Sequence, residues 1–235
     1  MSISRKDKVI RNFDQNADRY EGKAALQDEA AKKLAALLPN AKTDCPKILE
    51  IGCGTGFLSG QLFKKYPNGF FHITDFSEEM LRRAHEKYAC DNARFFIMDG
   101  ENPDCGHHYD LIVSAMTFHW FDNPLASLKK LSRLGPVYYS IPGSQNFREW
   151  HQTTGGRDAI MNVNWPGVFA EEFIEKDYGS VRGFMRMLKE TGVSTPSENY
   201  NRLKAKSLKD ALVRYQRNFA GKATWHIIYG KMQKT

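Results

Sequence analysis

Three closely spaced glycines at the end of a short apolar run constrain this chain more than any other feature. The segment ILEIGCGTG begins at Ile48 and places Gly52, Gly54 and Gly56 directly behind the apolar residues. An apolar run followed by glycines is typical of a buried parallel strand that turns sharply into a helix. Glycine permits that turn and lets the backbone approach a ligand closely. The spacing is shorter than the G-x-G-x-x-G of dinucleotide sites, which disfavours NAD.

Strand-like and helix-like segments alternate on both sides of this loop. The predicted strands after the loop are FHITDFS, ARFFIMD, YDLIVSAM and PVYYSIP, and the predicted helices are Gly56–Tyr66, SEEMLRRAHEKYA and NPLASLKKLSRLG. Helical spacing of Leu26, Ala30 and Leu34 predicts a further helix within 6–38. Such alternation predicts an α/β fold, in which helices cover both faces of a doubly wound, mostly parallel sheet.

The alternation loosens beyond Gly143. We predict partial helix in 144–162, helices at 179–192 and 206–219, and a final strand in ATWHIIYGKMQ. These segments predict one domain over residues 1–235, with a helical lid for substrate recognition at about 143–222.

Acidic residues mark the predicted carboxyl ends of successive strands. Asp75 ends the second strand, and Asp99, followed by Gly100, ends the third. Asp75 can accept both ribose hydroxyls of a nucleoside, and Asp99 can accept from an adenine amino group. The alternatives are that Asp75 caps the helix at Ser77 and that Asp99 is a turn residue. Glu50 lies inside the first strand, where a buried carboxylate costs several kcal/mol unless it is paired, so we expect it to lie against the cofactor.

At these residues the chain resembles the class I S-adenosylmethionine methyltransferases over about residues 47–142. The resemblance implies that the sheet has seven strands. The E-x-G-C-G-x-G loop and the acids after the second and third strands carry the resemblance. It implies that the glycine loop meets the methionine portion of the cofactor, that Asp75 holds the ribose and that Asp99 contacts the adenine. The implied S-adenosyl-L-methionine site comprises Tyr20, Glu50, Gly52, Cys53, Gly54, Gly56, Asp75, Phe76, Asp99 and Gly100.

A closer resemblance, to the malonyl-acyl-carrier-protein O-methyltransferases of biotin synthesis, spans almost the whole chain. Four segments carry it, namely NFDQNADRYEGKAALQDEAAKKL, MTFHWFDNPLASLKKL, GSVRGFMRMLKETGVST and TWHIIYGKMQK. The chain departs from the family at Val193, where Ala is usual, and in the polar ENPDCGHH after Asp99. The resemblance implies methyl transfer to the free carboxylate of a malonyl thioester on acyl carrier protein. Related alternatives are a methyltransferase for another small acid or a quinone-like acceptor, and a non-catalytic nucleoside-binding regulator.

The acceptor carboxylate needs positioning rather than deprotonation. Its pKa of about 4 leaves it ionised at neutral pH, so no general base is required. An Arg can orient a carboxylate, and the candidates are Arg148, Arg182 and Arg186, of which Arg186 matches the family motif. A surface Arg is the alternative. We expect His119 and Trp120, after the fourth strand, to line the methyl-transfer pocket, with a base role for His119 as the alternative.

The distribution of charge suggests an acidic partner. The net charge is +7, and residues 180–235 hold twelve Lys or Arg against three acids. An acidic acyl carrier protein fits this charge. We predict no nucleic-acid partner, because no N-P-P-Y-like segment or added RNA-binding module is present. No metal site is expected, since the four cysteines are scattered and His107 and His108 are adjacent. Without a long apolar run or signal peptide, we predict a cytoplasmic protein with no membrane contact.

Overall fold

A computed structural model describes residues 25–104, 106–155, 163–190 and 205–234 of the chain. The chain forms two compact units, one of Met1–Ile141, Trp165–Phe169 and Tyr229–Thr235, and one of Pro142–Asn164 and Ala170–Ile228. None of the described helices is both long enough and apolar enough to cross a lipid bilayer.

The first unit holds most of the sheet and its covering helices. The helices among its described residues are α1 (Ala25–Leu37), α2 (Phe57–Lys65), α3 (Glu78–Tyr88) and α4 (Pro124–Ser132). Its strands are β1 (Lys47–Ile51), β2 (Phe70–Asp75), β3 (Ala93–Ile97), β4 (Leu111–Ala115) and β5 (Val137–Pro142), which lies in it up to Ile141. A single 3-10 turn, Phe118–Trp120, follows β4.

Local sequence explains where these helices begin. The Ser77 hydroxyl accepts a hydrogen bond from the Met80 amide at 3.1 Å, and Glu78 and Glu79 occupy the first turn of α3. Such a cap satisfies an amide that has no partner within the helix, and the two acids favour the positive helix end. Asn123 caps α4 in the same way, through the Ala126 amide. Ser77 therefore marks the start of α3.

The seven strands form one mixed sheet in the order β3-β2-β1-β4-β5-β7-β6. The pairs β1–β2, β1–β4, β2–β3 and β4–β5 are parallel. Strand order reverses between β1 and β4, and such folds bind ligands in the crevice at the carboxyl ends of the strands on either side of that reversal. The predicted doubly wound α/β fold with seven strands is confirmed.

In the described part of the second unit, three helices pack around an aromatic core. They are α5 (Arg148–Thr154), α6 (Val181–Glu190) and α7 (Ala205–Phe219). Phe184 of α6 stacks on Tyr215 of α7 with ring centroids 5.2 Å apart. Phe147 meets Trp225 edge-on at 4.5 Å. The unit also holds most of β7 (Lys222–Met232), and the predicted final strand and the two helices before it are confirmed.

The sequence prediction missed one strand, β6 (Val168–Asp177). We expected helices and loops in this part of the chain. β6 ends the strand order, and all its residues are exposed or half-buried. An edge strand of this kind lacks the buried apolar run that marks the inner strands, so its sequence, VFAEEFIEKD, carries a weak strand signal.

Candidate active site

The glycine loop between β1 and α2 uses backbone conformations that favour glycine. Gly52, Gly54 and Gly56 have φ angles of 68°, 54° and 91°. A side chain is strained in this region, so the glycines are required by geometry. The Cys53 amide donates to the Thr74 carbonyl at 2.9 Å, which ties the loop to the end of β2.

Two substitutions in this loop separate crowding from backbone strain. A Cβ at Gly52 would lie 2.3 Å from the Thr117 side chain, whereas a Cβ at Gly54 would meet nothing within 4 Å. We expect Gly54→Ala to cost about 1 kcal/mol of unfolding free energy, from the left-handed φ alone. Gly52→Ala should cost about 3 kcal/mol, because overpacking adds to the same strain. Urea denaturation of both variants checks this, and equal losses would show that Thr117 moves aside freely.

Asp75 joins the glycine loop to the start of α3. Its Oδ2 accepts from the Gly54 amide and its Oδ1 from the Ser77 amide, each at 2.8 Å. A carboxylate offers about four acceptor positions, so it can accept more than these two bonds at once. Asp75 therefore ties the glycine loop to the start of α3.

Glu50 is a fully buried acid in the middle of the sheet, paired in register with Ile73 and Val113. The Ser59 hydroxyl donates to its Oε2 at 2.6 Å. Burial, with the nearby charge of Asp75, raises the pKa of Glu50 to about 8. In the absence of a cationic ligand, Glu50 is therefore mainly protonated at neutral pH.

The Cys53 thiol lies in the same buried surroundings. Burial, followed by the charges of Asp75 and Glu50, raises its pKa well above the ordinary value. A thiol that resists ionisation is a poor nucleophile, so Cys53 serves as part of the loop surface rather than as a reactive group.

Asp99 organises the turn after β3. Its Oδ1 accepts from the Glu101 amide and its Oδ2 from the Asn102 side-chain amide, both at 3.0 Å. The turn geometry that we gave as an alternative is therefore present. At the next residue, Gly100, a Cβ would lie 2.6 Å from Phe121 and 2.7 Å from Ile51, so only glycine fits without displacement.

These loops enclose a cavity of about 1030 Å³, measured with its open mouth. The predicted cofactor or pocket residues that line it are Glu50, Gly52, Cys53, Gly54, Asp75, Phe76, Asp99, Gly100 and Trp120. Gly56 does not line the cavity. It is the N-cap of α2, and a Cβ there would lie 2.7 Å from the Tyr88 ring. His119 is also outside it, with its ring 4.8 Å from that of Trp120. Tyr20 lies outside the described residues.

Sequence reasoning missed several lining residues, among them Gln27, Thr55, Thr117 and Phe121. Thr55 lies within the glycine loop, where its position gave a signal that we did not use. Gln27 lies on α1, and nothing in its local sequence indicates a cavity. Among the described residues, the lining includes three carboxyl groups and no Lys or Arg.

The predicted arginines belong to the second unit. Arg148 is exposed at the start of α5, and its Nε donates to Glu149 Oε1 at 3.3 Å. Its guanidinium lies 6.0 Å from the centroid of the Phe173 ring. Arg182 and Arg186 are both exposed on α6.

Comparison with known proteins agrees with this geometry. A family model described as a methyltransferase domain matches residues 48–134. Malonyl-[acyl-carrier protein] O-methyltransferase of Magnetococcus marinus is 33% identical, over 97% of this chain and 92% of that protein. Malonyl-[acyl-carrier protein] O-methyltransferase 1 of Ilyobacter polytropus is 30% identical, over 100% of this chain and 97% of that protein.

Solved structures share the fold. Phosphoethanolamine N-methyltransferase 2 of Haemonchus contortus, in complex with phosphomonomethylethanolamine and S-adenosylhomocysteine, matches with a TM-score of 0.55 and 14% identity, over 99% of this chain and 61% of that one. A chain from the complex between the Haloferax volcanii Trm112 methyltransferase activator and a methyltransferase matches with a TM-score of 0.58 and 18% identity. The match covers 94% of this chain and 96% of that one. By its full-length sequence relatives, the chain belongs to the malonyl-[acyl-carrier protein] O-methyltransferase family.

Proposed function

We propose that the chain transfers the methyl group of S-adenosyl-L-methionine to the free carboxylate of malonyl-acyl-carrier protein, giving the methyl ester that primes biotin synthesis. The observation that carries this proposal is the 33% identity to a malonyl-[acyl-carrier protein] O-methyltransferase over nearly the whole of both chains. The carboxylate-lined cavity at the ends of the strands supports it.

The described lining fits the cofactor chemically. A sulfonium and an ammonium group suit a cavity that includes three carboxyl groups and, among the described residues, no basic side chain. The Thr55 hydroxyl oxygen is buried in this lining without a hydrogen-bond partner in the described structure. A buried hydroxyl of this kind costs free energy until a ligand pairs with it.

Each part of the cofactor has residues that would hold it. In the proposal, Asp75 with Phe76 holds the ribose, and Asp99 with Gly100 holds the adenine. The methionine portion lies along the glycine loop, with Cys53 in its surface and Glu50 beside it. Tyr20 is proposed as a further cofactor contact.

The reaction needs positioning and exclusion of water rather than a base. When bound, S-adenosyl-L-methionine supplies an electrophilic methyl group, whose bond to sulfur breaks, leaving the electron pair on sulfur, as the carboxylate oxygen bonds to carbon. Because no proton is transferred, His119 is not proposed as a base. It is proposed to pack behind the pocket wall, beside Trp120. The chain contributes a fixed geometry, and Trp120 is proposed to form part of the wall beside the acceptor.

The basic residues of the second unit are proposed to receive the acidic carrier. Arg182 and Arg186 on α6 and Lys209 and Arg217 on α7 are exposed. A positive surface accelerates encounter with an acidic protein. This segment, about 143–222, is proposed as the substrate-recognition lid, and Arg148, also exposed within it, is a second candidate contact for the acidic substrate.

Charge reversal on these helices tests the role of the carrier. We expect Arg182→Glu combined with Lys209→Glu to raise the KM for malonyl-acyl-carrier protein about tenfold at low salt, with a smaller effect at about 0.3 M salt. The KM for malonyl-CoA, which lacks the carrier protein, should stay unchanged. The matched control reverses Lys33 and Lys129, exposed on α1 and α4. An equal rise in the control would show that only net charge matters.

The direct test of the function is mass spectrometry. Incubating the chain with S-adenosyl-L-methionine and malonyl-acyl-carrier protein should add about 14 Da to the carrier, as one methyl group replaces a proton, and an ester hydrolase should remove it. Free malonate and a quinone-like acceptor serve as competing substrates. Methylation of those alone would contradict the proposal.

A further inference from the structure

One wall of the cavity comes from α1, which the cofactor assignments do not use. Gln27 and Ala31 both line the cavity, and they lie one helical turn apart on the same face. Leu26, Ala30 and Leu34 of this helix are buried, and α1 packs against β4. The packing of α1 therefore fixes the position of Gln27.

Gln27 holds a polar atom that lacks a partner. Its Oε1 is buried, and the described structure offers it no hydrogen bond. An unsatisfied buried amide oxygen costs free energy of folding. A side-chain amide carries one acceptor and two donors, and a turn of the amide exchanges them. A group held at this cost in a cavity wall is suited to pair with a ligand.

Trp120, whose indole carries a neutral N–H group, also lines the cavity. It ends the 3-10 turn that follows β4, the strand against which α1 packs. Met116, between β4 and that turn, also lines the cavity and has a φ of 54°. A left-handed conformation in a non-glycine residue is costly and is found where a functional turn requires it. The topology thus brings Gln27 and Trp120 to neighbouring walls.

Charge disappears during the methyl transfer, and this favours neutral hydrogen-bond donors as partners of the acceptor carboxylate. In the methyl transfer, an anionic carboxylate and a cationic sulfonium become a neutral ester and a neutral thioether. A guanidinium on the carboxylate would stabilise the ions before transfer more than the transition state, in which the charge is disappearing. Amide and indole N–H groups orient a carboxylate with a smaller penalty. The described lining includes Gln27 and Trp120, which carry such groups, and no Lys or Arg.

We propose that the Gln27 side-chain amide and the Trp120 indole N–H hold the acceptor carboxylate in line with the methyl group. The inference rests on the proposed function and adds the residues that recognise the acceptor. It assigns Arg148 and Arg186 to contacts outside this carboxylate site.

The test measures acceptor and cofactor separately in the full-length protein. Gln27→Met keeps the length of the side chain and removes its N–H groups, and it should raise the KM for malonyl-acyl-carrier protein about tenfold. Gln27→Glu places a like charge against the acceptor and should lower kcat/KM by about 1000-fold. Trp120→Phe should raise the same KM about fivefold. Calorimetry should give a Kd for S-adenosylhomocysteine within about twofold of the wild type in all three.

Gln61→Ala, on α2 and outside the described lining, is the matched control and should leave both constants unchanged. An unchanged KM in Gln27→Met, with the wild type active, would overturn this inference alone. A roughly tenfold weaker Kd for S-adenosylhomocysteine would also overturn it, because Gln27 would then contact the cofactor. A larger rise in KM for malonyl-CoA in Arg186→Ala than in Gln27→Met would assign the carboxylate to the guanidinium. A wild-type chain that leaves malonyl-acyl-carrier protein unmodified would remove the proposed function itself.

Discussion

Asp75→Asn should weaken the binding of S-adenosylhomocysteine about 100-fold or more. In the proposed site the carboxylate accepts both ribose hydroxyls, and each charge-assisted hydrogen bond contributes about 1.5–3 kcal/mol. The substitution also disturbs the loop, because an amide NH₂ would then face the Gly54 or the Ser77 amide, which now donate to the carboxylate. Isothermal titration calorimetry measures the Kd, and thermal unfolding reports the accompanying loss of stability.

Two comparisons separate the ribose contact from the structural role of Asp75. Asp110→Asn is the matched control, because Asp110 Oδ2 also accepts a backbone amide, from Lys47 at 2.8 Å, but at the amino end of β1. It should leave the Kd within about twofold of the wild type. The second comparison uses a 2′,3′-dideoxy analogue of S-adenosylhomocysteine, which lacks both ribose hydroxyls. It should bind the wild type weakly, and Asp75→Asn should reduce its affinity little further. If Asp75→Asn reduces the affinity for the analogue and for S-adenosylhomocysteine by the same factor, Asp75 acts only through the shape of the loop.

The glycine loop and the strand-end acids could be predicted because their requirements are local. Gly52, Gly54 and Gly56 adopt left-handed conformations that few other residues tolerate, so the sequence there carries the geometry directly. Asp75 follows an apolar run, and parallel strands bring their carboxyl ends to one edge. The burial of Glu50 followed from the same run, since its neighbours on the strand are apolar.

Other parts of the site depend on contacts between distant segments. Gln27 becomes a lining residue only because α1 packs beside β4, and its sequence surroundings are those of an ordinary amphipathic helix. The β6 strand gave a weak signal because edge strands need no buried apolar face. Asp99 accepts hydrogen bonds from Glu101 and Asn102 in its own turn. The sequence alone could not separate this turn role from an adenine contact, because both place an acid directly after β3.

Glu50→Gln should make the protein more stable at alkaline pH. Because the pKa of Glu50 is about 8 in the folded chain, against 4.5 for an unperturbed glutamate, the folded state holds the proton more tightly. This favours folding below pH 4.5, and the advantage is lost as the pH rises to about 8. Gln carries no such proton, so the variant should gain a few kcal/mol relative to the wild type at about pH 8.5, at roughly 1.4 kcal/mol for each unit by which the pKa is raised. At about pH 4.5 the two should unfold alike.

Glu149 provides a control of opposite sign. Burial alone raises its pKa, but hydrogen bonds from the Thr224 hydroxyl and amide outweigh this and leave the pKa lowered. Its contribution to stability is therefore present at neutral pH and lost as the pH falls below the ordinary carboxyl value. Glu149→Gln should destabilise the chain at neutral pH and less so in acid. Urea denaturation across about pH 4.5–8.5 measures both variants. If the change in stability does not vary with pH in either variant, Glu50 has an ordinary carboxyl pKa in the folded chain.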